Sequence, residues 1–529
     1  MFFGKKKTKE SLKKQTETLP PSSQNNSEVE KQVQPDGEVK PNETISESTQ
    51  TFVEDMKDRI LSPADLVVRN VSKTITILFL DNLIKEDILN LKLLPALQNI
   101  ESESPETIQS QLPLPQINIT SQMANCVDTM LTGAVVIHVE GHSCAIMVII
   151  PARESRGLTP PENESQVIGS QVGFNESLST NISLVRRYIL NPNLGNEKFK
   201  VGKQTNTSLS IMYIKGIVAE QNVNTIRQRI EELDIQDIID SAELAELLDD
   251  NNISIFPQML ITERPDRFCD GLLSGKVGIL VDGSSMAILC PYSFIEFFQS
   301  REDKNLRWPI ATFLRCLRFA AILISIFFTP LYVASLTFHY EVIPQSLLVP
   351  LSESRARVPF PPILEALFLE LIMELLREAG ARLPTKIGQT IGIVGGIVLG
   401  TAAVQAGITS NILIIIVALC ALSSFITPSY MMGNVIRIVR FPIIILAGFW
   451  GYYGIMLAFC ILLIHLLKLT SLGAPYLTPF YPPRINSWGD SLIRFPYRVT
   501  KRKSPGTRVD GAEFPSSQAG HKNDGNEKE

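Results

Sequence analysis

The sequence predicts an α/β cytoplasmic domain of two related subdomains, followed by an α-helical multi-span transmembrane domain. Three observations predict it. The chain changes solvent partway: up to about Lys304 it is mixed and charged, and from Trp308 to Leu467 it is a series of apolar runs with few charges. Within the charged half a twenty-residue segment recurs. Within the apolar half several runs approach the ~20 residues that cross a bilayer's hydrocarbon core.

Residues 1–50 are rich in Lys, Glu, Gln, Asn, Ser, Thr and Pro. They carry too little apolar surface to offset chain entropy, so a disordered tail is expected. The lysine-rich start has no apolar core behind it and does not read as a secretory signal. The first subdomain is expected over 51–194, with a strand at 75–80 and a helix at 84–97. Aligning 128–147 with 270–289, an offset of 142, gives ten identities in twenty positions. Each copy reads strand, acidic-glycine turn, strand, through Glu140-Gly141 and Asp282-Gly283. Glycine supplies the positive φ of a tight hairpin. A chance likeness between two hairpins of one type is the alternative. A helical pattern at 184–190 bridges to the second subdomain, 195–304, which holds helical patterns at 223–233 and near 242–248.

The transmembrane domain is expected over 305–470. The candidate spans are 310–338, 387–406, 412–426 and 441–467, with an amphipathic helix from Ile363 lying in or partly across the membrane. Arg301, Lys304, Arg307, Arg315 and Arg318 mark the start as cytoplasmic, and Arg494, Arg498 and Lys501 mark the polar, mostly disordered tail 471–529 likewise. Both ends on one side require an even number of crossings, hence four. That count leaves Arg382, Lys386, Arg437 and Arg440 on the outer side, against the charge bias. Five spans with an outer tail is the competing count.

Composition narrows the function. A net charge of -5 with no basic stripe argues against nucleic acid as a partner. Seven scattered cysteines form no CxxC pair, which fits neither a zinc site nor a disulfide framework. The histidines have no ligand spacing, and no nucleophile elbow, Walker loop, dinucleotide fingerprint or HExxH occurs. Neither an enzyme nor a cofactor is expected.

The candidate functional residues lie in the apolar half. Gly388, Gly392, Gly396, Gly400 and Ala403 share one face of the run 387–406, where small residues let helices approach closely. The opposite face carries Thr390, Val394, Ile397, Val398, Thr401 and Gln405. Such a face suits a narrow pathway with a hydrophobic gate. Ordinary bundle packing, with the hydroxyls bonded back to their own helix, is the alternative. Glu365, Glu370, Glu374 and Glu378 lie along the amphipathic helix. They read as an acidic vestibule that concentrates cations, or as the solvated face of an interfacial helix. Thr262-Glu263-Arg264-Pro265-Asp266, before the second hairpin, reads as a turn with a local ion pair.

These segments, in this order, resemble the A-subunit family of GerA-type nutrient germination receptors of spore-forming bacteria. The resemblance is carried by Phe256-Pro257-Gln258, Thr262-Glu263-Arg264-Pro265-Asp266, Pro359-Phe360-Pro361-Pro362 with Glu365, Leu376-Arg377-Glu378-Ala379-Gly380, Arg382-Leu383-Pro384, the glycines of 392–396 and the run 423–430. It spans about 55–485. It implies a multi-pass protein of the spore inner membrane with its N-terminal domain in the cytoplasm. Its partners would be a B-type nutrient-sensing membrane subunit and a C-type lipoprotein. It further implies a homo-oligomer, a pentamer by analogy, that forms a ligand-gated cation channel. A non-conducting scaffold for the sensing subunit, or a branch of the family assisting dipicolinate release, are the other readings.

Overall fold

The structure is a computed structural model that describes residues 44–61, 64–98, 100, 104–152, 160–161, 164–382, 396, 398, 400–483, 491 and 493–495. Ile45 is buried and a helix begins at Thr49, so the folded body starts a few residues earlier than expected. Most of the predicted N-terminal tail lies outside the described residues.

The first sheet holds β1 (Leu66–Asn70), β2 (Ile75–Leu80), β3 (Ile117–Thr120), β4 (Ala134–Val139) and β5 (Ala145–Ile149), in the spatial order β1-β2-β4-β5-β3. Helix α1 (Met123–Leu131) precedes the β4–β5 hairpin and packs on this sheet through Cys126, Val127 and Met130. Helix α2 (Leu178–Tyr188) follows, at the predicted bridge but six residues longer at its start. The second sheet holds β6 (Leu194–Val201), β7 (Thr207–Ile214), β8 (Leu260–Thr262), β9 (Val277–Val281) and β10 (Ala287–Cys290). Its order is β6-β7-β9-β10-β8, the same as the first, and helix α3 (Pro265–Leu273) precedes its β9–β10 hairpin. The bounds of α1 and α3 differ by the 142 residues of the sequence alignment. Gly141 and Gly283 turn the two hairpins with φ of 84° and 86°. Both strands of each hairpin are all or nearly all buried, because helices or the other subdomain cover both faces.

Asp65, fully buried, joins the subdomains. It accepts hydrogen bonds from Arg186 Nη2 on α2 at 2.8 Å and from Asn196 Nδ2 on β6 at 2.7 Å. A buried carboxylate held this way is strongly tied to its partners, since removing either leaves a desolvated charge.

The apolar half is a helical bundle: α4 (Trp308–Thr337), α5 (Pro362–Arg382), α6 (Asn411–Ser424) and α7 (Tyr430–Lys468), with a helical stretch at 400–405. Among the described residues two helices, α4 and α7, are long and apolar enough to cross a membrane. α7 is not one rod. Gly451 has φ 60° and ψ -138°, a conformation open in practice to glycine alone. Beyond it the chain turns back: a Cβ on Gly454 would overlap the carbonyl oxygen of Leu446, eight residues earlier. In a continuous helix those residues stand ~12 Å apart along the axis. Tyr452 Oη lies 2.6 Å from Ser335 Oγ, and the Phe459 ring lies 6.2 Å from that of Phe327. The second arm, 452–468, therefore runs antiparallel to α4. The predicted single span at 441–467 is corrected to parts of two arms.

The amphipathic helix expected from Ile363 is present and packs within the bundle. α5 runs the length of the bundle, antiparallel to the first arm of α7. Gly448 packs against Ile363 near one end of α5, Arg440 meets Glu370, and Arg437 meets Glu374 towards the other. α6 runs the same way as α5: Ser410 lies by Glu365 and Ser424 by Arg377. With α5 threaded through and α7 folded back, Arg377, Arg382 and Arg437 sit towards the end of the bundle that faces the body. Of the other cations on the expected outer side, Arg440 is buried mid-bundle against Glu370 and Lys386 lies outside the described residues.

Candidate functional site at the junction of body and bundle

Body and bundle are tied at two places. At the first, α4 leaves the body carrying Arg315 and Arg318, both buried. Their guanidiniums donate to Asp303 at 3.1 and 3.0 Å, and Arg318 also donates to the Phe298 carbonyl at 2.8 Å. The two arginines that interrupt the first apolar run are thus an attachment to the body. At the second, α7 ends at Lys468 and the chain packs back on the body. Tyr476 Oη donates to the Pro257 carbonyl at 2.6 Å, Ser471 Oγ to the Gln258 carbonyl at 2.6 Å, and Gly473 N to Asp250 at 2.9 Å. His465 Nε2 lies 2.9 Å from Ser254 Oγ, with its ring against Phe256. The tail from 471 was expected to be polar and mostly disordered, but Ser471, Tyr476 and Leu477 are buried in this attachment.

Burial pushes the Asp249 carboxyl up to about 7, while its Oδ1 has no hydrogen-bond partner. Its neighbour Asp250 goes the other way. Burial raises it, but Thr470, Gly473 and Arg229 donate to it and together hold it below the usual carboxylate range.

Between the two attachments lies the segment predicted as a simple turn. Thr262 ends β8, Pro265 starts α3 at its first turn, and the Glu263 carbonyl accepts from Phe174 N at 2.8 Å. Arg264, almost wholly buried, is held by a fork to Asp266 at 3.0 Å on both arms and by donation to the carbonyls of Glu164 and Ser170 at 3.1 and 2.9 Å. Glu164 also takes Arg267 at 2.6 Å and the Thr262 hydroxyl. Arg267 is held above its usual range although burial opposes this, because Tyr292 and Glu164 face it. The motif therefore pins a loop segment nearly a hundred residues away in sequence. A polar cavity of about 330 Å³ opens beside it, lined from the body by Gln166, Arg264, Arg267 and Arg301, and from the bundle by Arg318 and by Phe425, Ile426, Thr427 and Pro428. Two segments that carried the resemblance, from opposite halves of the chain, meet across this space.

The glutamates of α5 do not form an open rim within the chain. Glu365 and Glu370 are buried. Glu370 pairs with Arg440 at 2.6 Å and accepts from Thr329 at 2.9 Å. Glu365 accepts from Ser410 N at 2.6 Å and Thr409 Oγ1 at 3.0 Å, with Arg355 3.6 Å away. Glu374 meets Arg437 at 3.3 Å, and exposed Glu378 meets Arg382 at 2.6 Å. Each glutamate of the stripe has an arginine beside it. That neutralisation is what a carboxylate inside an apolar bundle requires.

Of the predicted pathway face, Thr390, Val394 and Ile397 lie outside the described residues, as do Gly388 and Gly392 of the packing face. Val398 is 55 % exposed, Thr401 and Gln405 are exposed, and the Thr401 hydroxyl donates to the Val398 carbonyl at 3.2 Å. Ala403 is buried, but a Cβ on Gly396 or Gly400 would meet nothing within 4 Å. Among the described residues nothing packs closely on those two glycines.

Sequence reasoning missed Glu164, Asp250, Asp303 and Tyr476. Asp303 sits in a charged run that reads as solvated surface, and nothing local marks it as buried. His465 had a usable signal: it is a lone imidazole near the end of an apolar run.

Known proteins place the chain. Residues 50–505 match the family described as Bacillus/Clostridium GerA spore germination protein. The chain is 43 % identical over 469 residues to spore germination protein GerQA of Bacillus cereus, covering 88 % of this chain and 94 % of that one. It is 48 % identical over 405 residues to spore germination protein GerIA of the same organism, covering 76 % of this chain and 61 % of that one. Among solved structures, the N-terminal domain of the A subunit of the Bacillus megaterium germinant receptor GerK3 aligns over 48 % of this chain and 98 % of its own, at 22 % identity and a TM-score of 0.37. The chain belongs to the GerA family of spore germination proteins.

Proposed function

We propose that this chain is the A subunit of a nutrient germinant receptor of bacterial spores. Its body faces the cytoplasm, its bundle spans the spore inner membrane, and copies of it assemble around a cation pathway. The observation that carries the pathway is the helical stretch 400–405 with Gly396 and Val398 before it. Val398 and Gln405 are exposed and the positions of Gly396 and Gly400 are open, while Ala403 packs inward. A helix with an apolar and mildly polar face left exposed at the bundle is suited to line a space that several copies enclose. Thr390, Val394 and Ile397 extend the same lining in this proposal. Five copies, a B-type nutrient-sensing subunit and a C-type lipoprotein complete the receptor.

The spanning reading is supported by polarity along the bundle. Arg315, Arg318, Arg377, Arg437 and Lys468 lie towards the body end, while Tyr340, Trp450 and Tyr453 are exposed near the far end, where α4 ends and α7 turns. Cations on one side and an aromatic belt at the other interface are the ordinary signature of a membrane bundle. The glutamate stripe then acts first as a set of ion pairs that holds α5 in place, and Glu378 alone is left exposed enough to face permeating cations.

Opening would follow if the nutrient-bound sensor favours one arrangement of the junction over another. Ion release from spores carrying Val398→Ala tests the proposal. Release of K⁺ without nutrient supports a gate at this helix. Wild-type thresholds at normal protein levels would overturn it and favour a non-conducting scaffold.

A further inference from the structure

The two most exposed large apolar side chains of the described residues are Ile253, 90 % exposed, and Val167, 89 % exposed. Both belong to the body, and both lie where it meets the bundle. Ile253 and half-exposed Ile255 flank Ser254, whose hydroxyl is 2.9 Å from His465 in the last turn of α7. The loop is built rather than loose. Asn251 accepts from Ile253 N at 3.1 Å through its side chain, and the Ser254 hydroxyl accepts from Phe256 N at 3.2 Å. One turn before His465 on α7, Ile461 is itself exposed. Val167 follows Gln166, which lines the junction cavity together with Phe425 to Pro428 of the bundle. Its neighbour Ile168 is fixed to the short helix Glu302–Asn305, just before α4, by Asn305 Nδ2 at 3.1 Å and by Glu302 at 3.3 Å.

The level of these loops follows from length. The far end of the bundle lies near His339 and Gly451, whose side-chain positions touch. Counting the ~20 residues of a hydrocarbon crossing from there reaches about 319 on α4 and about 471 after α7. Arg318 then lies just outside the apolar layer and His465 just within it. A loop tied to His465, and one sharing a cavity with Arg318, both sit at the headgroup boundary. Branched aliphatic side chains bare at that depth, with exposed Ile461 of α7 one turn from the Ser254–His465 contact, point to lipid as their contact.

We infer that the loops bearing Ile253 and Val167 are lipid anchors that seat the body on the membrane surface beside its own bundle. This rests on the spanning reading above. The anchors fix the height and tilt of the body, so that movement at the junction is passed to the helices and not lost in rocking.

The test uses the full chain in phosphatidylcholine/phosphatidylglycerol vesicles, with Cys144, Cys316 and Cys460 replaced by serine. A bimane label is placed singly through Ile253→Cys, Val167→Cys, Leu457→Cys on α7, and Leu91→Cys, a water-exposed position of the first subdomain. Lipids bearing a nitroxide at acyl carbon 5 should quench the first two at least threefold more than Leu91→Cys. If Leu457→Cys is quenched by nitroxide lipid while Ile253→Cys and Val167→Cys answer only to iodide, the anchors are overturned and the span stands. If Leu457→Cys itself answers only to iodide, the spanning reading fails and the anchors with it. Shielding of Ile253→Cys and Val167→Cys from both quenchers would mean that protein covers them, and the lipid assignment would be overturned.

Discussion

Arg440 on the first arm of α7 donates to Glu370 on α5 at 2.6 Å, with both side chains 2 % exposed. Ser325 and Thr329 of α4 complete the cluster, so three helices share one buried ion pair. Such a pair adds little net stability over a well-packed apolar pair, but removing one partner strands the other. Glu370→Gln should lower stability by roughly 3–5 kcal/mol. The double variant Glu370→Leu with Arg440→Met should recover most of that loss. Thermal unfolding of the purified chain in detergent measures both.

Gly451 predicts a different failure. An alanine there would hold φ of 60° against its side chain and press its Cβ on the ring of His339. The backbone strain alone costs roughly 1–3 kcal/mol. Gly451→Ala should loosen the fold-back and lower the melting temperature of the chain in detergent. An unchanged melting temperature would show that the turn is held by other contacts.

At the second attachment, Tyr476→Phe leaves the Pro257 carbonyl without its hydroxyl donor. The expected loss is about 1–2 kcal/mol. Hydrogen exchange should rise first at 469–477 and 256–258, and spread to α7 only later.

Asp249 gives a pH signature. Its carboxyl is raised by burial to about 7 in the folded chain, above its unfolded value, so the folded state binds the proton more tightly. At pH below the unfolded value both states are protonated and the group contributes nothing. As pH rises from about 4 to 7 stability falls, and above 7 the penalty, roughly 2–4 kcal/mol, is complete. Asp249→Asn should therefore stabilise the chain at pH 8 and change it little at pH 4. Denaturant midpoints at the two values decide it.

Arg264→Lys should behave as a severe change despite the kept charge. A lysine cannot reproduce the fork to Asp266 and the two carbonyl contacts at once. A loss of at least about 2 kcal/mol is expected, with early proteolysis near 164–170.

Much of the body was legible because its signals are local. The β4–β5 and β9–β10 hairpins each lie within about twenty residues, so their turns and alternation survive in the sequence as a visible repeat. β2 falls on the predicted residues for the same reason. The bundle was less legible because its determinants are distant. Glu370 and Glu374 lower the apolar character of α5 until it reads as a surface helix, and the arginines that neutralise them come 70 and 63 residues later. The reversal at Gly451 is hidden by its neighbours: Gly448 and Gly454 surround it, and no charge or proline marks the turn. In the Arg264 segment the local pair with Asp266 was foreseeable, but Glu164 was not, since nothing in residues 160–170 announces a partner for 262–267.

The fold-back of α7 has a mechanical consequence. It returns the chain to the body, so the body holds the bundle at two points, Asp303 against Arg318 and Pro257 against Tyr476. A one-point hold would let the body swivel about a single helix without disturbing the rest. With two points, any twist of the body becomes a torque shared by α4 and the second arm of α7, which lie side by side. Through Ser325 and Thr329 that torque is passed to Glu370 and Arg440, so α5 and the first arm of α7 are loaded with it.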